Sequence, residues 1–303
     1  MAVPPAIFVI LGPTASGKTA LALALAEQTK AEILSVDSMQ VYRHMDIGTA
    51  KPTAGEQARV KHHLIGVTDP TEQFAVSQFV ERADAIIAIA RERNVPLIAT
   101  GGTPMYYKAL FEGLFEGPGA DEAIRARLNE EPLEALHARL TQVDPESAAR
   151  LHVNDRRRLV RALEVFELTG KPISSLQTDW SAPTHRHVAT WIGLSWDKDE
   201  LNRRINARVK QMMSAGWLEE TRSLLARFGH LSQTAAEATG YHELIEHLSG
   251  RMPLEDAVEQ IKIATRQLAR RQMKWFRRWG QVRWLNGSET VPILLDSIQK
   301  GPQ

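Results

Sequence analysis

The fold is decided by residues 6–19, AIFVILGPTASGKT, in which an apolar run leads directly into a glycine-rich loop. Residues 6–11 are continuous, apolar and rich in β-branched side chains, which predicts a buried parallel strand. Residues 12–19 match the pattern G-x-x-x-x-G-K-T, and a helix is predicted from Leu21 to Glu27. Between a strand and a helix this pattern binds phosphate, because the backbone N–H groups of the loop and the helix N-terminus surround the anion.

Further strands alternate with helices along the chain. Ala31–Val36, Val95–Thr100 and His187–Leu194 have the same apolar character, and Val76–Arg93 has the spacing of an amphipathic helix. This alternation predicts a doubly wound sheet with right-handed crossovers. The predicted fold class is therefore α/β, with a P-loop NTPase-like parallel sheet core, a helical insertion domain and long C-terminal helices.

The alternation is interrupted between Gly113 and Pro183, where only helical patterns occur. The segment 113–119, GLFEGPG, marks a boundary because it is rich in glycine and lacks periodicity. A helical insertion within one α/β core is the simplest explanation. The predicted organisation is the first part of the core in residues 1–115, the insertion in residues 116–185, and the second part of the core with basic C-terminal helices in residues 186–303.

Composition excludes several classes of protein. The chain has 303 residues, no cysteine, a formal net charge of +1, 43% apolar residues and 24% charged residues. The absence of cysteine excludes disulfides, thiolate zinc sites and cysteine nucleophiles. The apolar run near the N-terminus is too short to cross a bilayer, and no basic segment precedes it. We therefore expect a cytoplasmic protein without a signal peptide or a membrane anchor.

The glycine-rich loop predicts a polyphosphate site without deciding which polyphosphate it binds. Lys18 is expected to reach the phosphate oxygens, and the Thr19 hydroxyl is expected to ligate Mg²⁺. A kinase or an ATPase also needs an acidic residue at a neighbouring strand end. Only Asp37 occupies such a position, since the third predicted strand ends in Gly101-Gly102-Thr103. The predicted phosphate-binding residues are Gly12, Pro13, Thr14, Ala15, Ser16, Gly17, Lys18 and Thr19.

Asp37 begins a polar segment, DSMQVYR, after the second predicted strand. Strand ends beside a phosphate-binding loop face the ligand crevice of open α/β sheets, where a carboxylate can act as a base. Ser38 and Gln40 can read hydrogen-bonding edges, and Gln is a bidentate partner for adenine. Alternatively, Asp37 or Ser38 caps a following helix. Chemistry alone leaves the two interpretations even, and the nearby phosphate-binding loop favours the functional one.

Two basic clusters are expected to bind nucleic acid. One covers residues 150–161, and the other covers residues 262–283, largely within a long helix predicted from Leu254 to about Trp279. Phosphate contacts combined with stacking on aromatic rings are typical of RNA recognition. The alternative is a solvated helix face whose aromatic residues belong to the core. The basic residues 262, 266, 270, 274 and 278 are expected to form one continuous stripe, interleaved with Trp275, Phe276, Trp279 and Trp284.

Eight longer motifs occur in order over nearly the whole chain. They are GPTASGKT (12–19), DSMQVYR (37–43), GTAKPT (48–53), HHLI (62–65), GGTPMYY (101–107), NDRRRLVRALEV (154–165), TGKP (169–172) and TRQLARRQMKWFRRW (265–279). Together they resemble the bacterial tRNA dimethylallyltransferases, also called tRNA isopentenyltransferases or the IPP transferase family, and DSMQVYR and RALEV are far more specific than the phosphate-binding loop.

The resemblance implies transfer of a dimethylallyl group from dimethylallyl diphosphate to N6 of the adenosine 3′ of the tRNA anticodon. It implies that the loop holds the diphosphate leaving group with Mg²⁺ rather than a nucleotide. Asp37 looks like the general base, and the Thr103 hydroxyl would hold N6. Lys18 and Arg208, which matches a family arginine, would stabilise the leaving group together with Thr19-bound Mg²⁺.

The resemblance also implies a set of tRNA contacts, with the insertion gripping the anticodon stem and the chain acting as a monomer. The target adenine would have to leave the anticodon stack to reach Asp37. The implied tRNA-binding residues are Asp37, Ser38, Met39, Gln40, Thr103, Arg125, Arg161, Ala162, Leu163, Glu164, Val165, His242, Glu243, Trp275, Phe276, Arg277 and Arg278.

Two other functions remain open on the sequence. The first is a small-molecule kinase with this loop, or a prenyltransferase that acts on free adenylate. Neither needs a basic C-terminal helix or a helical insertion of this length. The second is an RNA-binding module in which Asp37 is only a cap. Binding of tRNA, AMP and ATP distinguishes these alternatives.

Overall fold

The computed structural model describes residues 6–113, 117–176 and 186–299. It divides the chain into two compact units, one formed by Met1–Leu110 with His187–Gln303 and the other by Phe111–Arg186. The smaller unit spans the segment predicted as an insertion, with slightly wider bounds. Within the described ranges, no helix is both long and apolar enough to cross a membrane.

Strands and helices alternate in the larger unit. The strands are β1 (Ile7–Leu11), β2 (Glu32–Ser35), β3 (His62–His63), β4 (Leu97–Thr100), β5 (Thr190–Ser195) and β6 (Arg283–Asn286). Its helices are α1 (Lys18–Thr29), α2 (Ala54–Arg59), α3 (Val76–Glu92), α4 (Pro104–Glu112, which extends two residues into the smaller unit), α10 (Lys198–Ser214), α11 (Trp217–Phe228), α12 (Gln233–Ala236), α13 (Tyr241–Leu248), α14 (Leu254–Phe276) and α15 (Val291–Gln299).

The six strands form one parallel sheet in the order β3-β2-β4-β1-β5-β6, which confirms the predicted α/β fold class. β1 is central, and its Val9 pairs with Ala99 of β4 on one side and Trp191 of β5 on the other. Because the carboxyl ends of parallel strands meet at one edge, the segments after β1, β2 and β4 lie together. The candidate active site lies at this edge.

Helix α1 covers one face of the sheet with an apolar surface. Leu21 and Leu25 are four residues apart and therefore lie on the same helix face, where they pack with Ile10 and Ile33 of the sheet and Leu294 of α15. The helix begins immediately after Gly17, whose φ of 89° lies in the left-handed region that glycine tolerates. Packing therefore fixes the N-terminus of α1 at the end of β1.

The smaller unit is helical and has a core of its own. Its helices beyond α4 are α5 (Glu122–Glu130), α6 (Leu133–Val143), α7 (Pro145–Arg150), α8 (Arg156–Thr169) and α9 (Ile173–Leu176). Leu128, Leu136, Leu140, Leu159 and Leu163 bury their side chains against one another. Leu159 and Leu163 are four residues apart, so α8 contributes one continuous apolar face to this core.

Candidate active site

The loop between β1 and α1 has the backbone geometry of an anion cradle. Ala15 and Gly17 adopt left-handed conformations, with φ of 64° and 89°. A Cβ at Gly12 would lie 2.5 Å from the Ser16 hydroxyl oxygen, so the loop is too tight for any other residue there. That hydroxyl is buried and has no hydrogen-bond partner. An unpaired buried hydroxyl in a loop of this geometry fits a site made for a polar ligand.

A cavity of about 800 Å³ opens at the carboxyl edge of the sheet beside this loop. The sequence predicted the loop, Asp37 and Thr103 at this edge, and the structure brings all of them to the cavity. The lining includes residues 14–20, 37–40, 48–52, 100–103 and 237–239, together with Ala22, Ile33, Ser35, Glu56, His62, Ile65, Arg204, Ala207, Arg208, Gln211, Tyr241, Leu268 and Gln272.

Lys18 and Arg208 supply positive charge to the cavity. The pKa of Lys18 is lowered to about 8, mainly because the ammonium is buried and also because of the nearby charge of Arg208, while the carboxylate of Asp37 opposes both effects. Burial also lowers the pKa of Arg208, while Asp37 again acts in the opposite direction. The cations are held close together in a partly desolvated site, which favours binding of a multiply charged anion.

Asp37 lines the cavity and also accepts three backbone hydrogen bonds. Its Oδ1 accepts from the N–H of Met39 at 2.9 Å and of Gln40 at 3.3 Å, and its Oδ2 accepts from the N–H of Gly102 at 3.1 Å. The structure thus combines the two interpretations of Asp37, since it caps a turn and faces the site. A carboxylate can accept about four hydrogen bonds, so one acceptor position remains for a ligand.

The strand ends of β2 and β4 approach so closely that glycine is required between them. A Cβ at Gly101 would lie 2.1 Å from the carbonyl oxygen of Val36. This approach brings Thr103 next to Ser38. The Thr103 hydroxyl accepts from the N–H of Ser38 at 2.9 Å and donates to its Oγ at 3.1 Å. The Thr103 oxygen keeps one lone pair with which it can accept a hydrogen bond from a substrate N–H, and its proton has to leave Ser38 only if Thr103 is to donate.

Gln40 has a role that the sequence did not indicate. Its amide nitrogen donates to the carbonyl oxygens of Thr49 at 3.3 Å and Ala50 at 3.2 Å, and its amide oxygen accepts from the Ser35 hydroxyl at 2.9 Å. Both ends of the amide are thus engaged within the protein. In this structure Gln40 holds the cavity wall formed by residues 48–52, and its reading of an adenine edge stays a prediction.

Glu220 of α11 fixes the same wall from its other side. Its carboxylate accepts from the N–H groups of Asp46 at 2.9 Å, Ile47 at 2.7 Å and Gly48 at 3.2 Å, and from the Tyr241 hydroxyl at 2.6 Å. Sequence reasoning missed Glu220, because the backbone groups that it holds lie more than 170 residues earlier in the chain.

Lys51 completes this wall and was also missed. Its side chain is only 5% exposed, and its ammonium donates to the Tyr42 carbonyl oxygen and, at 2.6 Å, to Asp46 Oδ1. Burial lowers the pKa of Lys51, while Asp46 and Glu220 oppose that change. The only sequence signal for this residue was its place in the GTAKPT motif.

Gln272 of α14 connects the phosphate-binding loop to the end of β4. Its amide oxygen accepts from the Thr14 N–H at 2.8 Å, and its amide nitrogen donates to the Gly102 carbonyl oxygen at 2.7 Å. Gln272 lies between the buried residues Ala269 and Phe276 on the inner face of the helix. A glutamine at core spacing within a basic helix was the signal that could have revealed it.

The basic residues of α14 do not form one continuous stripe, so that prediction is wrong. An α-helix has 3.6 residues per turn, and positions four residues apart therefore drift around it by roughly 40° per step. Lys262 pairs with Glu259 at 2.9 Å, and Arg266 donates to Asn206 Oδ1 at 2.7 Å. The exposed basic residues of this segment begin at Arg270 and are Arg270, Arg271, Lys274, Arg277 and Arg278.

The aromatic residues of this segment divide between core and surface. Phe276 has no exposed surface and lies 6.1 Å from the ring centres of both Tyr107 and Trp279. The Phe276 side chain thus belongs to the core, and the contact of this residue with tRNA stays a prediction. Trp275 is half-buried, and the Arg278 guanidinium lies 5.1 Å from its ring centre.

Most of the tRNA-binding residues implied for α8 belong to the core of the smaller unit. The apolar side chains of Ala162, Leu163 and Val165 fill the interior between the helices, and the carboxylate of Glu164 is buried as well. The contact of this segment with tRNA stays a prediction.

Glu164 organises the two arginines implied for the same unit. Its carboxylate accepts from Arg125 Nε at 2.8 Å and Arg161 Nη1 at 2.7 Å, and also from the N–H of Asp121 at 2.8 Å. Both arginines keep partly exposed side chains. Their positive charge is therefore held in place at the surface by a buried anion.

Helix α13 carries the last two implied contacts. His242 is exposed, whereas the Glu243 carboxylate accepts from the Gly240 N–H at 2.7 Å and so caps the helix. Gly240 has a φ of 93°, and a Cβ there would lie 1.9 Å from the Trp217 ring. The role of His242 stays a prediction.

The donor set at the loop suits Mg²⁺ shared with a phosphate ligand. Thr19 brings a hydroxyl oxygen to the cavity beside Lys18. Among the described residues, no group of three or more His, Asp or Glu side chains is arranged to hold a metal by itself. Mg²⁺ commonly retains waters and is bound through few protein ligands plus substrate phosphates, so Thr19 fits such a site.

Comparisons with known proteins agree with this geometry. A family model described as IPP transferase matches residues 40–279, and one described as isopentenyl transferase matches residues 5–65. The chain is 45% identical to a tRNA dimethylallyltransferase of Citrifermentans bemidjiense, covering 96% of this chain and 95% of that protein.

Two solved structures have the same fold. The full-length tRNA isopentenylpyrophosphate transferase of Bacillus halodurans superposes with a TM-score of 0.72 at 37% identity, covering 97% of this chain and 96% of that one. A eukaryotic dimethylallyltransferase acting on tRNA superposes with a TM-score of 0.80 at 25% identity, covering 99% of this chain and 81% of that one.

Proposed function

Because this chain belongs to the IPP transferase family, we propose that its cavity binds dimethylallyl diphosphate beside an adenosine of tRNA and transfers the dimethylallyl group to that adenosine. The chain is a transferase that modifies tRNA. The observation that carries the proposed site is the single cavity shared by the anion cradle, two cations and Asp37. The acceptor atom is N6 of the adenosine that follows the anticodon.

Asp37 acts as the general base. The lone pair of an exocyclic adenine amine is delocalised into the ring, so N6 attacks poorly unless a base removes its proton. As the N6–C bond forms, the bond from the allylic carbon to the diphosphate oxygen breaks, the proton moves to Asp37, and diphosphate leaves. The three N–H groups bonded to Asp37 fix the direction of its remaining acceptor position.

Lys18 and Arg208 stabilise the departing diphosphate. Negative charge grows on the leaving oxygens, and cations that are already in place lower the energy of that transition state. Thr19 would hold Mg²⁺ against the same oxygens, where the ion would neutralise further charge.

The exposed basic end of α14 and the arginines held by Glu164 contact tRNA phosphates. The anticodon stem-loop is the RNA element recognised, and the target adenine leaves its stack to enter the cavity. The protein works as a monomer in the cytoplasm, where its RNA substrate is found.

The test is prenyl transfer to bulk tRNA. Purified protein is incubated with tRNA, dimethylallyl diphosphate and Mg²⁺, and the tRNA nucleosides are then analysed by mass spectrometry. One adenosine should gain the mass of a dimethylallyl group in place of a proton, and Lys18→Ala should greatly reduce that signal.

Parallel incubations with AMP and ATP separate this function from the alternatives. Prenylation of AMP in preference to tRNA would favour the adenylate prenyltransferase. Tight, Mg²⁺-dependent ATP binding that the prenyl donor cannot displace would favour a kinase. Binding of tRNA without any transfer would leave an RNA-binding module.

A further inference from the structure

Two side chains outside the GPTASGKT motif donate hydrogen bonds to backbone carbonyls of the phosphate-binding loop. Trp196, which directly follows β5, donates its indole N–H to the Ser16 carbonyl oxygen at 3.0 Å. Arg204 of α10 donates Nε–H to the Ala15 carbonyl oxygen at 2.9 Å. The guanidinium carbon of Arg204 lies 4.2 Å from the ring centre of Trp196, so the two side chains also hold each other.

The carbonyls of Ala15 and Ser16 matter for the shape of the cradle. When successive N–H groups converge on an anion, the carbonyls of the same peptides point outward and need other partners. Ala15 also has a φ of 64°, a conformation that a non-glycine residue adopts only when its surroundings enforce it. Arg204 and Trp196 supply those partners.

Trp196 is fixed from its other side by the turn after β6. A Cβ at Gly287 would lie 2.0 Å from the indole nitrogen, so only glycine allows this turn to approach. The Gly287 N–H in turn donates to the Ser195 carbonyl oxygen at 2.7 Å. The ring beneath Arg204 therefore has little freedom to tilt.

Arg204 keeps most of its donors for a ligand. The hydrogen bond to Ala15 uses Nε–H, which leaves the terminal nitrogens with their four N–H groups. Nη2 lies 3.9 Å from the position that a Cβ on Gly17 would take, and Arg204 lines the cavity. The guanidinium fork thus lies over the first turn of α1, at the opening of the cradle.

Arg204 is also close to a second arginine. Its charge contributes to lowering the pKa of Arg208, which means that the two cations repel each other. Such a pair is unfavourable without an anion and favourable around one with several charged oxygens.

We propose that Arg204 is a second arginine of the diphosphate site, and that Trp196 is the positioning residue that holds its guanidinium over the loop. This inference rests on the proposed function, in which the loop takes the diphosphate of the prenyl donor. Arg204 binds the terminal diphosphate oxygens, and Trp196 acts on diphosphate binding by holding Arg204.

The experiment is a double-mutant cycle on the binding of inorganic diphosphate with Mg²⁺, measured by calorimetry on the full chain. The proteins are the parent, Trp196→Leu, Arg204→Gln and the double variant. Arg204→Gln should weaken binding on the order of tenfold or more, as expected for loss of a charged hydrogen bond. Trp196→Leu should weaken it by a similar factor, and the double variant should bind no worse than Arg204→Gln alone.

Two further variants separate positioning from simple support of the loop. Trp196→Phe keeps a ring beneath Arg204 but loses the bond to Ser16, so it should retain most of the affinity that Trp196→Leu loses. Arg203→Gln is the matched control, because Arg203 is an exposed neighbour on the same helix outside the cavity lining. It should leave binding unchanged.

Each result of the binding experiment either supports or overturns the role proposed for Arg204 and Trp196. Losses that multiply in the double variant, or parent-like binding by Arg204→Gln, would overturn the inference. The Trp196→Phe arm keeps the test valid if Trp196→Leu does not fold. A parent that binds diphosphate but does not prenylate tRNA would contradict the proposed function and leave this inference standing.

Discussion

Replacing Asp37 with asparagine should separate its two tasks. The carboxylate accepts three backbone N–H groups, two on Oδ1 and one on Oδ2. The amide introduced by Asp37→Asn has one acceptor oxygen, so if that oxygen keeps the N–H groups of Met39 and Gln40, its NH₂ group must face the N–H of Gly102. The substitution therefore removes the base and also one hydrogen bond of the turn.

The expected losses differ in kind and size. A hydrogen bond to a charged group contributes about 1.5–3 kcal/mol, so the free energy of unfolding should fall by roughly 2 kcal/mol. For a protein of this size that is a decrease in Tm of a few degrees. Loss of a positioned base should slow the chemical step by about 10²–10⁴. Affinity for tRNA should change much less, because phosphate contacts dominate it.

The assay is single-turnover prenylation with saturating tRNA and donor, accompanied by thermal unfolding of the same samples. Asp144→Asn is the matched control, because Asp144 is buried and accepts from the N–H groups of Ser147 and Ser174 at 3.0 Å each, outside the cavity lining. It should lose stability and keep the parent rate. A rate for Asp37→Asn within about threefold of the parent would refute the assignment of Asp37 as the base and leave it only as a cap.

Three other perturbations follow from the same contacts. Since the pKa of Lys18 is lowered to about 8, Lys18 loses its charge above that pH, and the KM for the donor should rise there by up to about tenfold per pH unit. The double variant Arg270→Gln/Lys274→Gln should flatten the slope of log K for tRNA against log salt by about one unit per lost contact. In Gln272→Glu, a carboxylate oxygen replaces the amide nitrogen that donates to the Gly102 carbonyl oxygen, so two oxygens face each other. This substitution should destabilise the fold by about 1–3 kcal/mol and weaken donor binding.

Controls make these outcomes specific. Lys18→Arg should remove the alkaline rise in KM, and a rise that persists in this variant would assign the titration to another group. Lys262→Gln should leave the salt slope unchanged, because Glu259 already pairs with Lys262. If Lys262→Gln and Arg270→Gln changed the salt slope of tRNA binding equally, the ion pair with Glu259 would not keep Lys262 from contacting tRNA. A Gln272→Glu variant with parent stability would show that the bridge to the loop contributes little.

The central strands could be predicted because burial on both faces leaves a continuous apolar run. Residues 6–11, 31–36 and 95–100 have this pattern and form β1, β2 and β4. β3 and β6 were not predicted. β3 has two residues, and β6 is an edge strand, RWLN, whose residues are partly exposed. Neither has enough residues at buried positions to produce a pattern.

The loop and Asp37 could be found because spacing in the sequence is enough to define them. The contacts of Gln272 and Glu220 were not predicted, since each residue acts on backbone groups far away in the chain, at 258 and 172–174 residues of separation. For Leu163 and Phe276 the sequence contained two signals that disagree. The motifs that contain them suggested RNA contacts, while their spacing of three to four residues from other apolar side chains indicated burial.

The bridge from Gln272 to Thr14 has a consequence for how the protein is made. The two residues are 258 positions apart, so the ribosome must add nearly the whole chain before the N-terminal loop receives its partner. At 5–20 residues per second, that interval is roughly 10–50 s. β1 likewise can pair with β5, its neighbour in the sheet, only after β5 has been synthesised. A nascent chain therefore carries the complete GPTASGKT motif early in synthesis and gains the finished phosphate-binding loop only when α14 has emerged.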